Sequence, residues 1–159
     1  MNQSERFFSF EEAKSKAEYW CAYRDRSVFE TQSKLISYGQ SEKDISELIN
    51  HLKEYDFLDD ERFVNSFVSG KFRIKKWGRK KIYASLFPKK VDKNLIKNAF
   101  ESINDDDYFQ TVEELIEKKI HLLRSEKAPW KKKQKIMQFL MSRGFEYDIV
   151  LSVLAKKQV

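Results

Sequence analysis

Apolar residues recur along this chain at intervals of three and four, broken by short polar corners. Ile45, Leu48, Ile49 and Leu52 stand at i, i+3, i+4 and i+7, the spacing that lines one helix face. The same period predicts helices over about 10–24, 28–38, 78–87, 92–102 and 146–157. Another begins at Asp59-Asp60-Glu61 and turns Phe63, Phe67 and Phe72 inward. A long one opens at Asp105-Asp106-Asp107, with Tyr108, Val112, Leu115, Ile116, Ile120 and Leu123 as its stripe. Polar residues punctuate the pattern. Ser9-Phe10-Glu11-Glu12 has the form of a capping box, Ser41-Glu42-Lys43-Asp44 reads as a second N-terminal cap, and Pro129 suits a first helical turn. Gly39 can take the left-handed conformation that ends a helix, and Pro88 stops the short one before it.

The apolar positions also repeat on a longer scale. A shift of 54 residues superposes Ile82 on Ile136, Leu86 on Leu140, Val91 on Phe145, Leu95 on Ile149, Ile96 on Val150, Ala99 on Val153 and Phe100 on Leu154. Leu35 joins Leu86 and Leu140, Gly39 joins Gly144, and Ile45 and Ile49 join Ile149 and Val153 after one added residue. The economical account is an all-α chain of three tandem three-helix repeats, over 1–54, 55–103 and 104–159. Small helical units bury little alone and stack on their neighbours, so the expected body is elongated and curved, with a concave binding side.

Composition supports this picture. Only four glycines and two prolines stand among 159 residues, too few for many tight strand turns, while 41% hydrophobic content supplies a core. Net charge is +6 but uneven: −2 for 1–54, +6 for 55–103 and +2 for 104–159. A basic middle points to a polyanionic partner, nucleic acid or an acidic protein surface. The lone Cys21 forms no internal disulfide, the start MNQSERFF lacks the apolar centre of a signal peptide, and no apolar run is long enough to span a bilayer. The expectation is a soluble cytoplasmic protein, monomeric, without a membrane partner.

Catalytic chemistry finds little support. His51 and His121 lack companions at metal-ligand spacing, Cys21 lies in the apolar run Tyr19-Trp20-Cys21-Ala22-Tyr23, and Gly39, Gly70, Gly78 and Gly144 form no phosphate loop. The acidic triplets at 59–61 and 105–107 offer carboxylates to a divalent ion, but both stand where a helix N-terminus is expected, and capping explains them without one. No enzyme activity, catalytic residue, metal or cofactor is expected.

Two basic clusters remain. KFRIKKWGRKK, residues 71–81, carries Lys71, Arg73, Lys75, Lys76, Arg79, Lys80 and Lys81 around Trp77; Lys131, Lys132, Lys133 and Lys135 begin a helix in the third repeat. Cations at a helix N-terminus oppose its macrodipole, so something other than helix stability selects them. Phosphates would offset that cost, and the helix start would add its own N–H donors to an anion. Trp77 is the candidate for stacking on an unpaired base.

Leu58-Asp59-Asp60-Glu61-Arg62-Phe63, Phe67-Val68 and Trp77-Gly78-Arg79-Lys80-Lys81-Ile82 followed by Leu86 resemble the central signature of the RecX family, regulators of the bacterial RecA recombinase. Arg24-Asp25-Arg26-Ser27 with Glu30, Lys34-Leu35 and Gly39 resembles its first repeat; Lys135-Ile136, Leu140, Arg143-Gly144-Phe145 and 149–154 resemble its last. The likeness spans roughly 17–155. Thr31 stands where an apolar residue is common, Gln40 where Phe or Tyr is usual, and Pro88-Lys89-Lys90 where a Lys-Gly corner is typical. The resemblance implies three tandem three-helix repeats that bind the RecA filament, lie in its groove and inhibit ATP hydrolysis and strand exchange, with affinity for single- or double-stranded DNA. It adds Arg24 and Arg26 to the partner-binding candidates. A nucleic-acid-binding module without a recombinase partner is the alternative.

Overall fold

The structure is a computed structural model that describes residues 7–157; most of the MNQSERFF start lies outside them. Among the described residues all regular structure is helical: α1 Phe10–Tyr23, α2 Val28–Ser37, α3 Glu42–Glu54, α4 Asp60–Arg73, α5 Arg79–Leu86, α6 Lys93–Glu101, α7 Asp105–Leu122, α8 Pro129–Ser142 and α9 Tyr147–Ala155. These bounds follow the periodicity closely, because the sequence caps them. Ser9 and Ser27 form complete capping boxes with Glu12 and Glu30, Ser41 accepts from the Asp44 N–H, and Pro129 opens α8. A 3-10 turn, Phe87–Lys89, carries the chain past Pro88.

The repeat is visible in burial as well as in sequence. Ile82 and Ile136, Leu86 and Leu140, Val91 and Phe145, Ile96 and Val150, and Ala99 and Val153 are all buried, while Leu95 and Ile149 are both half-buried. Leu154 is buried but its counterpart Phe100 only partly so. The corner after each middle helix repeats too. Gly39, Lys90 and Gly144 hold the left-handed conformation, with φ of 80°, 52° and 90°. In the first and third, the following amide closes a Schellman-type bond: Gln40 N–H to Leu35 O and Phe145 N–H to Leu140 O, both 3.2 Å. Lys90 thus occupies a glycine position, which explains why a Lys-Gly corner suits this place.

The chain packs as two compact units, one of residues 1–66 and 87–95, the other of 67–86 and 96–159. In the first, small residues Ala13, Ala17 and Cys21 let α1 lie close to Leu35, Leu48, Leu52 and Leu58. Thr31 is fully buried, and its hydroxyl donates to the Ser27 carbonyl at 2.9 Å, so the polar atom is satisfied within its own helix. Gln40 uses its amide to tie down the Phe8 carbonyl at 2.7 Å. The second unit is centred on an aromatic row: Phe72 stacks on Tyr108 at 5.7 Å, and Tyr108 meets Phe145 at 5.4 Å. Ile82, Leu86, Val112, Ile116, Ile136 and Leu140 fill in around it.

Charge divides along the same lines. The first unit carries 12 Lys and Arg against 15 Asp and Glu, net −3; the second carries 19 against 10, net +9. The basic character read from the middle of the sequence is therefore a property of the second unit, where both lysine clusters fold.

Candidate partner interface

The family-like motifs of the first unit interlock with each other. Asp59 caps its own helix by accepting from the Arg62 N–H at 3.1 Å, but Asp60 reaches a different helix, accepting from the Val28 N–H at 2.8 Å and so closing the start of α2. Burial pushes the Asp60 carboxyl above its ordinary range, against the bond from Val28. Arg62 Nε donates to Asp25 at 2.9 Å, and the Ser66 hydroxyl donates to the other oxygen at 3.0 Å. Glu30, besides its capping box, pairs with Lys89.

Arg26 belongs to this lock. It is 8% exposed, its guanidinium lies 4.0 Å over the Trp20 ring, and its Nε donates to the Trp20 carbonyl at 3.2 Å. Burial and neighbouring Arg24 lower its pKa. Of the two arginines expected to meet a partner, Arg26 has its guanidinium engaged in packing against Trp20, and Arg24 is exposed.

The joint at 71–81 turns on a lysine. Lys76, not Gly78, makes the left-handed turn, with φ 57°; Trp77 N–H then bonds back to Lys71 O at 3.0 Å and ends α4. Gly78 is needed for closeness, because the end of α8 abuts the start of α5. Gly78 N–H donates to Arg143 O at 2.8 Å and Lys80 N–H to Gly144 O at 3.0 Å, while Arg79 N–H donates to the Tyr108 hydroxyl at 3.1 Å. Three of the amides expected to receive an anion at the start of α5, those of Gly78, Arg79 and Lys80, are therefore occupied. A carbonyl-bearing helix end against an amide-bearing helix start satisfies orphan groups of both.

Arg79 is drawn into the same arrangement. Its guanidinium sits 3.8 Å over the Tyr108 ring and pairs with Glu146 at 3.4 Å and Asp105 at 3.5 Å. Tyr108, buried and donating to Glu146 Oε1 at 2.9 Å, has its pKa raised far above the usual tyrosine value, burial being the main cause. The positive charge of Arg79 is thus matched inside the molecule. Trp77 is half-buried, with the Lys71 and Lys81 ammonium groups 4.8 and 4.4 Å from its ring centre.

What remains on the surface is Arg73, Lys75 and Lys80, all exposed and without an ion pair among the described residues. Half-buried Lys76 and Arg73 border a groove of about 240 Å³ shared with Asp107, Gln110, Thr111 and Glu114. In the other cluster, Lys131 and Lys133 are exposed, Lys132 is half-buried and Lys135 pairs with Glu126 at 3.0 Å. Spacing could not separate paired cations from open ones, since Arg79 finds its partners 26 and 67 residues away.

The remaining chemistry is structural. Cys21 is buried with its Sγ 3.9 Å from the Thr31 hydroxyl, and burial raises its pKa. His51 faces Glu18 at 3.3 Å and His121 faces Arg124 at 3.1 Å. Among the described residues no group of three or more His, Cys, Asp or Glu is placed to hold a metal ion, and no helix is long and apolar enough to cross a membrane.

Known proteins resemble both the sequence and the fold. Family models for the second and third three-helix domains of RecX match residues 59–99 and 105–154. The regulatory protein RecX of Clostridium botulinum is 36% identical over 79% of this chain, and that of Clostridium perfringens 32% over 80%. The chain spans 58% and 59% of the length of those relatives. A crystal structure of RecX from Lactobacillus salivarius superposes with a TM-score of 0.83 at 28% identity, covering 92% of this chain and 95% of that one. Motifs, repeat and fold agree, and the chain belongs to the RecX family of regulatory proteins.

Proposed function

We propose that this protein binds the filament of the RecA recombinase and restrains its ATP hydrolysis and strand exchange, as a regulator with no reaction of its own. The observation that carries the reading is the unmatched charge of the second unit: Arg73, Lys75 and Lys80 stay open to solvent at a joint where Arg79 is neutralised internally and Lys71, Lys76 and Lys81 are half-buried. An anionic partner would offset that charge, and a recombinase filament with its bound DNA presents both acidic protein and phosphate. Membership of a family of regulatory proteins supports the partner. The repeats over 1–54, 55–103 and 104–159 would then act as successive contact modules, with Arg24 exposed on the first. The reading carries with it a cytoplasmic setting and a role in recombinational DNA repair.

Purified protein added to a RecA filament on single-stranded DNA should slow ATP hydrolysis in a concentration-dependent way. The triple variant Arg73→Ala, Lys75→Ala, Lys80→Ala should lose most of that effect while keeping its helicity and melting temperature. Unchanged hydrolysis with the wild-type protein at equal concentration would reject the reading. Arg79→Ala is unsuitable for this test, because it breaks a contact of the fold.

A further inference from the structure

The three tryptophans are not equivalent. Trp20 lies under the Arg26 guanidinium and Trp77 between the α4 and α5 ends with two ammonium groups close by; both are half-buried. Trp130, the second residue of α8, is 66% exposed, and one ammonium, that of Lys131, stands 5.5 Å from its ring centre. An indole two-thirds open to water leaves a ring face free for a ligand to stack on.

Its surroundings are cationic. Residues 121–135 contain Arg124, Lys127, Lys131, Lys132, Lys133 and Lys135 against a single carboxylate, Glu126. That carboxylate is already engaged: one oxygen accepts from Lys135 at 3.0 Å and the other from the Ala128 N–H at 3.3 Å, which holds its pKa down. Lys127, Lys131 and Lys133 are exposed and make no ion pair among the described residues, though the Lys131 charge helps to hold the Glu126 carboxyl down. Trp130 and Lys133 are three apart, so they share a helix face. An aromatic face among unmatched cations selects its partner. An acidic protein surface would use the lysines but not the ring, and a duplex presents phosphates while its bases stay stacked. Only an unpaired strand offers both a free base face and phosphates beside it.

We infer that the first turn of α8 is a binding surface for single-stranded nucleic acid, on which an unpaired base stacks on Trp130 while Lys127, Lys131 and Lys133 meet the neighbouring phosphates. The assignment moves the stacking role expected of Trp77 to a different repeat. It stands apart from the recombinase reading, because it needs no second protein.

The test is a polarisation titration of the full chain, alone, against a labelled oligothymidylate and a duplex of equal length over a range of salt. Trp130→Ala should weaken single-strand binding about tenfold and leave duplex binding and the salt slope unchanged. Trp130→Phe should recover most of the loss. Lys131→Ala with Lys133→Ala should reduce the slope of log affinity on log salt by about 0.7 for each phosphate contact removed. No measurable single-strand binding by the wild-type protein, no effect of Trp130→Ala, or equal loss on both DNAs would overturn the proposal. No recombinase is present, so such a failure leaves the filament reading standing, and a failed ATPase assay leaves this one standing.

Discussion

Gly78 and Gly144 meet backbone to backbone: a Cβ on Gly78 would lie 2.4 Å from the carbonyl carbon and oxygen of Gly144, and one on Gly144 would lie 2.4 Å from the Lys81 amide nitrogen. The facing atoms are main chain, together with the Lys81 Cβ, whose position the main chain fixes. They cannot rotate away as the end of a side chain would, and the hydrogen bonds that cross this contact fix its distance. Two glycines in different repeats are thus one structural requirement.

Gly78→Ala should therefore cost about 3 kcal/mol in urea unfolding. Gly70 is the control, since it lies inside α4 with no atom within 4 Å of a Cβ built there. Gly70→Ala should stabilise by about 0.5–1 kcal/mol, because alanine loses less backbone entropy in a helix. Similar stabilities for the two variants would show that the joint yields.

The left-handed lysines give a second prediction. Non-glycine residues pay about 1–2 kcal/mol in this conformation, of which the greater unfolded-state freedom of glycine takes back about 0.5–1. Lys76→Gly should thus raise stability by roughly 0.5 kcal/mol. Lys90→Gly should change it less, because it also removes an ammonium 4.6 Å over the Phe29 ring. Calorimetric melting of both variants checks the order, and a loss of stability in Lys76→Gly would contradict it.

Helix boundaries were legible because capping is local: Ser9 with Glu12 and Ser41 with Asp44 are decided within four residues. The repeat was legible because burial preserves apolar positions, as Leu35, Leu86 and Leu140 do. The surface was not, and the reason is distance along the chain. Whether Arg26 and Arg79 face solvent depends on Trp20 folding back beneath one and on Tyr108, Asp105 and Glu146 arriving around the other. Charge runs name the cations without telling which are already matched. Asp60 shows the same limit: its sequence neighbours suggest a cap for α4, and the structure gives its oxygen to α2.

That displaced cap has a pH signature. Burial raises the Asp60 pKa above the ordinary 3.8, so folding favours the protonated form. The stability this group contributes is fully present below that value and is lost as pH rises through the folded-state pKa. Asp60→Asn keeps an oxygen for the Val28 N–H and removes the charge. The variant should gain on the wild-type protein as pH rises from about 4 and hold a constant advantage at neutral pH. Urea unfolding of both proteins across that range measures the difference, and parallel profiles would refute the assignment.

Cys21 turns the packing of the first unit into an observable. Its thiol is buried against Thr31 and its pKa is raised from 9.0 by that burial, so neither access nor thiolate is available in the closed structure. Labelling by a thiol reagent must then pass through an opening of α1 and α2, and should be at least about a hundredfold slower than for the unfolded chain. Ser27→Ala removes the capping box that starts α2, which is worth about 1 kcal/mol, and should speed labelling about fivefold if the opening is in rapid equilibrium. A rate equal to that of the unfolded chain, or one indifferent to the loss of the cap, would mean that the thiol reaches solvent without the helices parting.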